Sequence, residues 1–133
     1  MNVDLNAYKQ FVDGVTSNPS KNQDHLDDVM AAHASNFNVP RLLTAGIGLS
    51  SETGEFNEIL KKVMFQGKSF NPETHFHLMR ELGDIMWYWI QACIALGLDP
   101  NQVIAENVNK LQSRYPGGKF NVYYSENRKA GDL

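Results

Sequence analysis

The chain has 133 residues, of which 42% are apolar and 20% charged, and a formal net charge of −3. This length suits one domain with a real core and is too short for two comfortable ones, and the composition excludes disordered and fibrous classes. Basic residues are scattered through a net acidic chain, so the electrostatic footprint that a nucleic-acid polymer needs is missing.

Met1 to Asn6 offers no basic cluster followed by an apolar run, so no secretory signal is readable and a cytoplasmic protein is expected. Leu5, Tyr8, Phe11, Val12 and Val15 then recur at helical spacing and predict an amphipathic helix that ends near Gly14 to Ser17. After the breaker Ser17-Asn18-Pro19-Ser20-Lys21-Asn22, a second helix is predicted from Asp24 to about Ser35, with Leu26, Met30 and His33 on one side. Pro40 suits the first turn of a third helix, Arg41 to about Phe65, whose stripe is Leu42, Ala45, Leu49, Phe56, Ile59 and Val63. Gly46, Gly48 and Gly54 weaken that helix by about 1 kcal/mol each, which suggests that some neighbour needs a close approach.

A loop, Gln66 to Pro72, leads to a fourth helix from about Glu73 to Leu96. From Ile85 onward it is apolar nearly all round, as at a bundle centre or a subunit interface, yet the run is too short to span a membrane. The single cysteine, Cys93, lies within it; a disulfide framework is excluded and a packing role in a reducing compartment is expected. Gly97-Leu98-Asp99-Pro100 ends this helix, and Asp99 is placed to cap a last one bearing Val103, Ile104, Val108 and Leu111 inward, up to Tyr115-Pro116-Gly117-Gly118. Lys119 to Leu133 carries an aromatic patch, Phe120, Tyr123 and Tyr124, and then a polar tail expected to fray. Without β alternation, the reading is an all-α single domain over 1–133, a bundle of about four to five helices.

Informative residues are those that break the pattern. Glu52 falls on the stripe of Ala45, Leu49, Phe56 and Ile59, where a hydrophobe is expected, and Glu55 follows at i+3. On the fourth helix Glu81 sits between Leu78 and Ile85, with Asp84 again at i+3. Any one of these alone is most simply a solvated helical face. Two acidic pairs interrupting two successive stripes are another matter, because like charges near a core repel and an unpaired buried carboxylate costs several kcal/mol. A cation relieves both, and hard oxygen ligands select Mg²⁺, Mn²⁺ or Ca²⁺ over zinc. Glu58 lies further round and precedes Lys61 and Lys62, so an ion pair competes with an outer ligand role. On the last helix Asn107, Lys110 and Arg114 share a face that could hold phosphate oxygens, or simply complement the helix dipole.

Three segments together resemble the MazG-like all-α nucleotide pyrophosphohydrolases. Gly48-Leu49-Ser50-Ser51-Glu52-Thr53-Gly54-Glu55 is similar to that family's E-x-x-E helix, and Glu81-Leu82-Gly83-Asp84-Ile85-Met86-Trp87-Tyr88 to its E-x-x-D helix. Asn107 to Pro116 resembles its N-x-x-K-L-x-x-R-Y ending. The resemblance covers about residues 41 to 120 and implies hydrolysis of a nucleoside or deoxynucleoside triphosphate to monophosphate and pyrophosphate. It also implies Mg²⁺, with Mn²⁺ as a substitute, on Glu52, Glu55, Glu81 and Asp84, and Glu52 orienting or deprotonating the water. Asn107, Lys110, Arg114 and Tyr115 would hold the phosphates, and a homodimer or homotetramer would frame each site. The doubled acid that often opens the first motif is here Ser51-Glu52, which leaves one to three ions open.

Other motifs are weaker. Gly67-Lys68-Ser69 looks like the end of a P-loop, but Lys62 stands where the first glycine belongs. His75 and His77 lie two apart, on different faces of a helix, and His25 and His33 suit packing better than base contact. Two rivals stand beside the enzyme reading: a non-catalytic helical module that binds cations or oligomerises, and a relative acting on deoxyuridine nucleotides or phosphoribosyl-ATP.

Overall fold

The computed structural model describes residues 4–128, and these form helices without a strand. In chain order they are α1 (Leu5–Val15), a 3-10 turn (Asn18–Ser20), α2 (Gln23–His33), α3 (Val39–Phe65), α4 (Pro72–Leu96), α5 (Pro100–Arg114) and α6 (Val122–Glu126). The all-α expectation holds. The additional helix, α6, lies where fraying was expected, capped by Asn121, whose side chain accepts the Tyr123 N–H at 2.8 Å. The remainder of the expected tail, 129–133, lies outside the described residues.

α3, α4 and α5 begin with the same local chemistry. Asn38 Oδ1 accepts the Arg41 N–H at 3.1 Å, Asn71 Oδ1 the Thr74 N–H at 2.9 Å, and Asp99 Oδ1 the Asn101 N–H at 2.9 Å. Pro40, Pro72 and Pro100 occupy the first turns, where a missing N–H leaves no bond unmade. At the far end of α4, Gly97 adopts φ 66°, and the Leu98 N–H returns to the Cys93 carbonyl at 2.9 Å. This left-handed cap, which glycine adopts without a Cβ penalty, closes the helix at the expected place.

α3 and α4 form an antiparallel hairpin, the most extensive packing among the described residues. Its open end is tied by the Asn38 N–H to the Ala95 carbonyl at 2.9 Å. At the loop end, the buried Thr74 hydroxyl donates to the Ser69 carbonyl at 3.0 Å. The seam between the helices is built from small side chains: Ala45 and Gly48 on α3, Cys93 and Ala95 on α4, with Val39 at the entrance. Cys93 is a buried free thiol, as its packing role requires.

Among the described residues, the apolar stripes of α1 and α5 are largely uncovered. Leu5, Tyr8, Phe11 and Val15 of α1 are exposed, as are Ile104, Val108 and Leu111 of α5, which the sequence placed inward. The apolar stretch of α4 is likewise split: Trp89 and Ile90 are half-buried, while Met86 and Trp87 are each 54% exposed. Monomer core therefore does not explain Met86 and Trp87. No helix among the described residues is long and apolar enough to cross a membrane.

Candidate metal centre

The hairpin geometry brings the two acidic pairs face to face. Climbing α3 from its start and descending α4 from its end, Asn38 meets Ala95, Gly48 meets the ring of Tyr88, and Glu52 meets Glu81. Glu52, Glu55 and Glu81 each offer a carboxylate oxygen, and these atoms all lie within 4.8 Å of one another. Glu52 and Glu81 are half-buried and Glu55 is exposed, so the cluster opens to solvent on one side.

Asp84 stands outside this tight trio, yet its charge acts on Glu52. Partial withdrawal from water, then the charges of Glu55, Asp84 and Glu81, then a hydrogen bond with the Glu81 side chain, hold the Glu52 carboxyl above its ordinary value of 4.5. Every one of those causes opposes the anion. A cation among these oxygens would reverse the electrostatic part, and an all-carboxylate donor set suits a hard divalent ion rather than zinc. The residues present therefore fit such an ion.

Glu58 resolves differently. It pairs with Lys61 and, at 3.3 Å, with Lys62, contacts that lower its pKa, so it belongs to a surface ion pair on α3 and not to the cluster.

The expected phosphate-binding residues occupy another part of the chain. Asn107 is exposed on α5, Lys110 and Arg114 are half-buried, and Tyr115 caps the helix end. The Tyr115 ring centroid lies 5.9 Å from that of Phe120, and both rings line a recess with Val108 and Leu111. α5 leaves the hairpin at Gly97–Asp99, and among the described residues it packs on α3 and α4 far less than those two pack on each other.

The minor motifs resolve as surface and packing. His77 lies 3.8 Å from Glu73, His75 meets Phe70 edge-on, and His33 stacks on Phe37. Lys68 lies in the loop between α3 and α4, with no strand before it. The close approach expected at the glycines of α3 occurs at one of them. Gly46 and Gly54 face open space, whereas a Cβ at Gly48 would clash with the ring of Tyr88.

Fold and site define an all-helical protein with an acidic cluster astride an antiparallel helix pair. A family model for the MazG nucleotide pyrophosphohydrolase domain matches residues 42–118, and the chain belongs to that family. A similar relative is the Gene 37 protein of Mycobacterium phage L5, 37% identical over 73 residues, which are 54% of this chain and 64% of that protein's length. The chain thus spans less than two thirds of that relative, whose name carries no activity. No solved structure matches.

Proposed function

We propose that the chain hydrolyses a nucleoside or deoxynucleoside triphosphate between its α and β phosphates, releasing a monophosphate and pyrophosphate, with Mg²⁺ as cofactor and Mn²⁺ as a substitute. The observation that carries this reading is the convergence of Glu52, Glu55 and Glu81 from two helices, inside the segment that matches the family.

Glu52, Glu55 and Glu81, with Asp84 beside them, would hold the ion. Once bound, the ion would neutralise phosphate charge and lower the pKa of a water. Glu52 is the residue proposed to orient that water and take its proton. Lys110 and Arg114, a point charge and a planar fork, suit phosphate oxygens, and Asn107 and Tyr115 complete the proposed set.

This arrangement calls for a second copy of the chain. The exposed surface is 10528 Å², against roughly 7,000 Å² expected for a compact monomer of this mass. Covering the exposed Met86, Trp87, Ile104 and Val108 in a homodimer or homotetramer would remove part of that excess and could bring α5 over the hairpin of a partner.

The test is a screen of common ribo- and deoxyribonucleoside triphosphates with Mg²⁺ that separates pyrophosphate from single phosphate release. Pyrophosphate with monophosphate supports the proposal. Magnesium binding without turnover on any nucleotide would indicate the non-catalytic module, and preference for a diphosphate or for phosphoribosyl-ATP would redirect the substrate assignment.

A further inference from the structure

Gly48 is buried in the seam of the hairpin, and the space a Cβ would need is already filled. Atoms Cδ1, Cε1 and Cζ of Tyr88 would all lie well under 3.0 Å from it, closer than real Cβ atoms come. No comparable demand exists elsewhere on α3, because Gly46 and Gly54 have nothing within 4 Å. The Tyr88 ring is itself braced, edge-on, against Trp87 at 4.7 Å between centroids.

Position makes this contact consequential. Gly48 lies one turn before Glu52, and Tyr88 one turn after Asp84, so each partner sits about 6 Å along its helix axis from a residue of the acidic cluster. α-Helices are stiff over one turn, and interaxial distance follows the side chains at the point of contact. A ring seated directly on the α3 backbone therefore fixes both the separation and the axial register of the two helices next to the carboxylates. Magnesium tolerates little error there, since it demands near-ideal geometry at about 2.0–2.1 Å.

We propose that the Gly48–Tyr88 contact is the positioning device that sets the spacing of the Glu52/Glu55 pair against Glu81 and Asp84, and so the affinity of the site for a divalent ion. The inference rests on the metal-site reading of those carboxylates. Neither residue touches the ion or the substrate; both act through the helices that carry the ligands.

The experiment measures Mn²⁺ affinity of the full chain by calorimetry, with helicity checked by circular dichroism, in five variants and wild type. Gly48→Ala is expected to weaken Mn²⁺ binding at least tenfold in the wild-type background and less than threefold in the Tyr88→Ala background, where the ring no longer blocks the methyl group. Tyr88→Phe keeps the ring and is expected to bind as wild type does. Tyr88→Trp enlarges the wedge and is expected to weaken binding while the helices persist, which keeps the test alive if Gly48→Ala does not fold. An equal Gly48→Ala penalty in both backgrounds, or wild-type affinity in folded Gly48→Ala or Tyr88→Trp, overturns the inference. Wild type that binds no Mn²⁺ defeats the metal-site reading instead, so the two failures are distinct.

Discussion

In the proposed reaction, Glu52 concentrates the chemistry in one side chain. Its raised pKa means that the folded protein takes up a proton more readily than the unfolded one, so the ionised residue subtracts from stability. Glu52→Gln is therefore expected to abolish hydrolysis while the metal-free protein melts at the same temperature as wild type or higher. A lower melting temperature in the metal-free variant would make Glu52 structural. The sign also sets a pH dependence. In metal-free protein, the advantage of the glutamine variant is present at neutral pH, shrinks as pH falls through the raised Glu52 value, and is gone below 4.5, the ordinary value. Glu58, lowered by its lysines, acts in the opposite sense: its contribution is present above 4.5 and is lost as pH falls through its depressed value. Thermal melts of wild type and Glu52→Gln across acid and neutral pH, without metal, check the Glu52 direction, and the same comparison with Glu58→Gln checks the other.

At the scale of elements, helix starts were readable because their signals are local. Pro40 and the Asp99-Pro100 step place α3 and α5 within two residues of the expected positions, and the structure adds side-chain caps at Asn38 and Asn71. α6 escaped because five residues are too few to show a period, leaving only the Asn121 cap as a signal. Facing acidic pairs were legible as pattern breaks on two helices, but their register was not. Register depends on which glycine meets a ring, and Gly46, Gly48 and Gly54 are alike in the one-letter code. α5 carries its own prediction. Lys110→Ala is expected to raise KM for a triphosphate tenfold or more, the loss of a charge-assisted contact of about 1.5–3 kcal/mol, while Mn²⁺ affinity measured without nucleotide stays within twofold. Equal losses in both measurements would count against a phosphate role.

For the whole molecule the governing fact is a thin core beside abundant exposed apolar surface. The seam of α3 and α4 buries small residues, while Leu5, Phe11, Met86, Trp87 and Ile104 face solvent in the single chain. The sequence showed that α4 was apolar on more than one side; it could not show whether the second side met the same chain or another, since periodicity carries no information on partners. If copies of the chain cover these faces, folding and assembly are coupled by mass action, and the melting temperature must rise with protein concentration. Melts over a hundredfold range of concentration, with mass from light scattering, check this. A monomer whose melting temperature is independent of concentration would contradict it.

In the proposed metal centre, carboxylates from α3 and α4 jointly hold one divalent site. This is tested most directly by calorimetric titration of Mn²⁺ into wild type, Glu52→Gln and Glu81→Gln, each variant neutralising one helix's contribution. Saturable binding to wild type and at least a tenfold loss in both variants are expected. Full affinity in either variant would show that its helix contributes no ligand, and would contradict the claim.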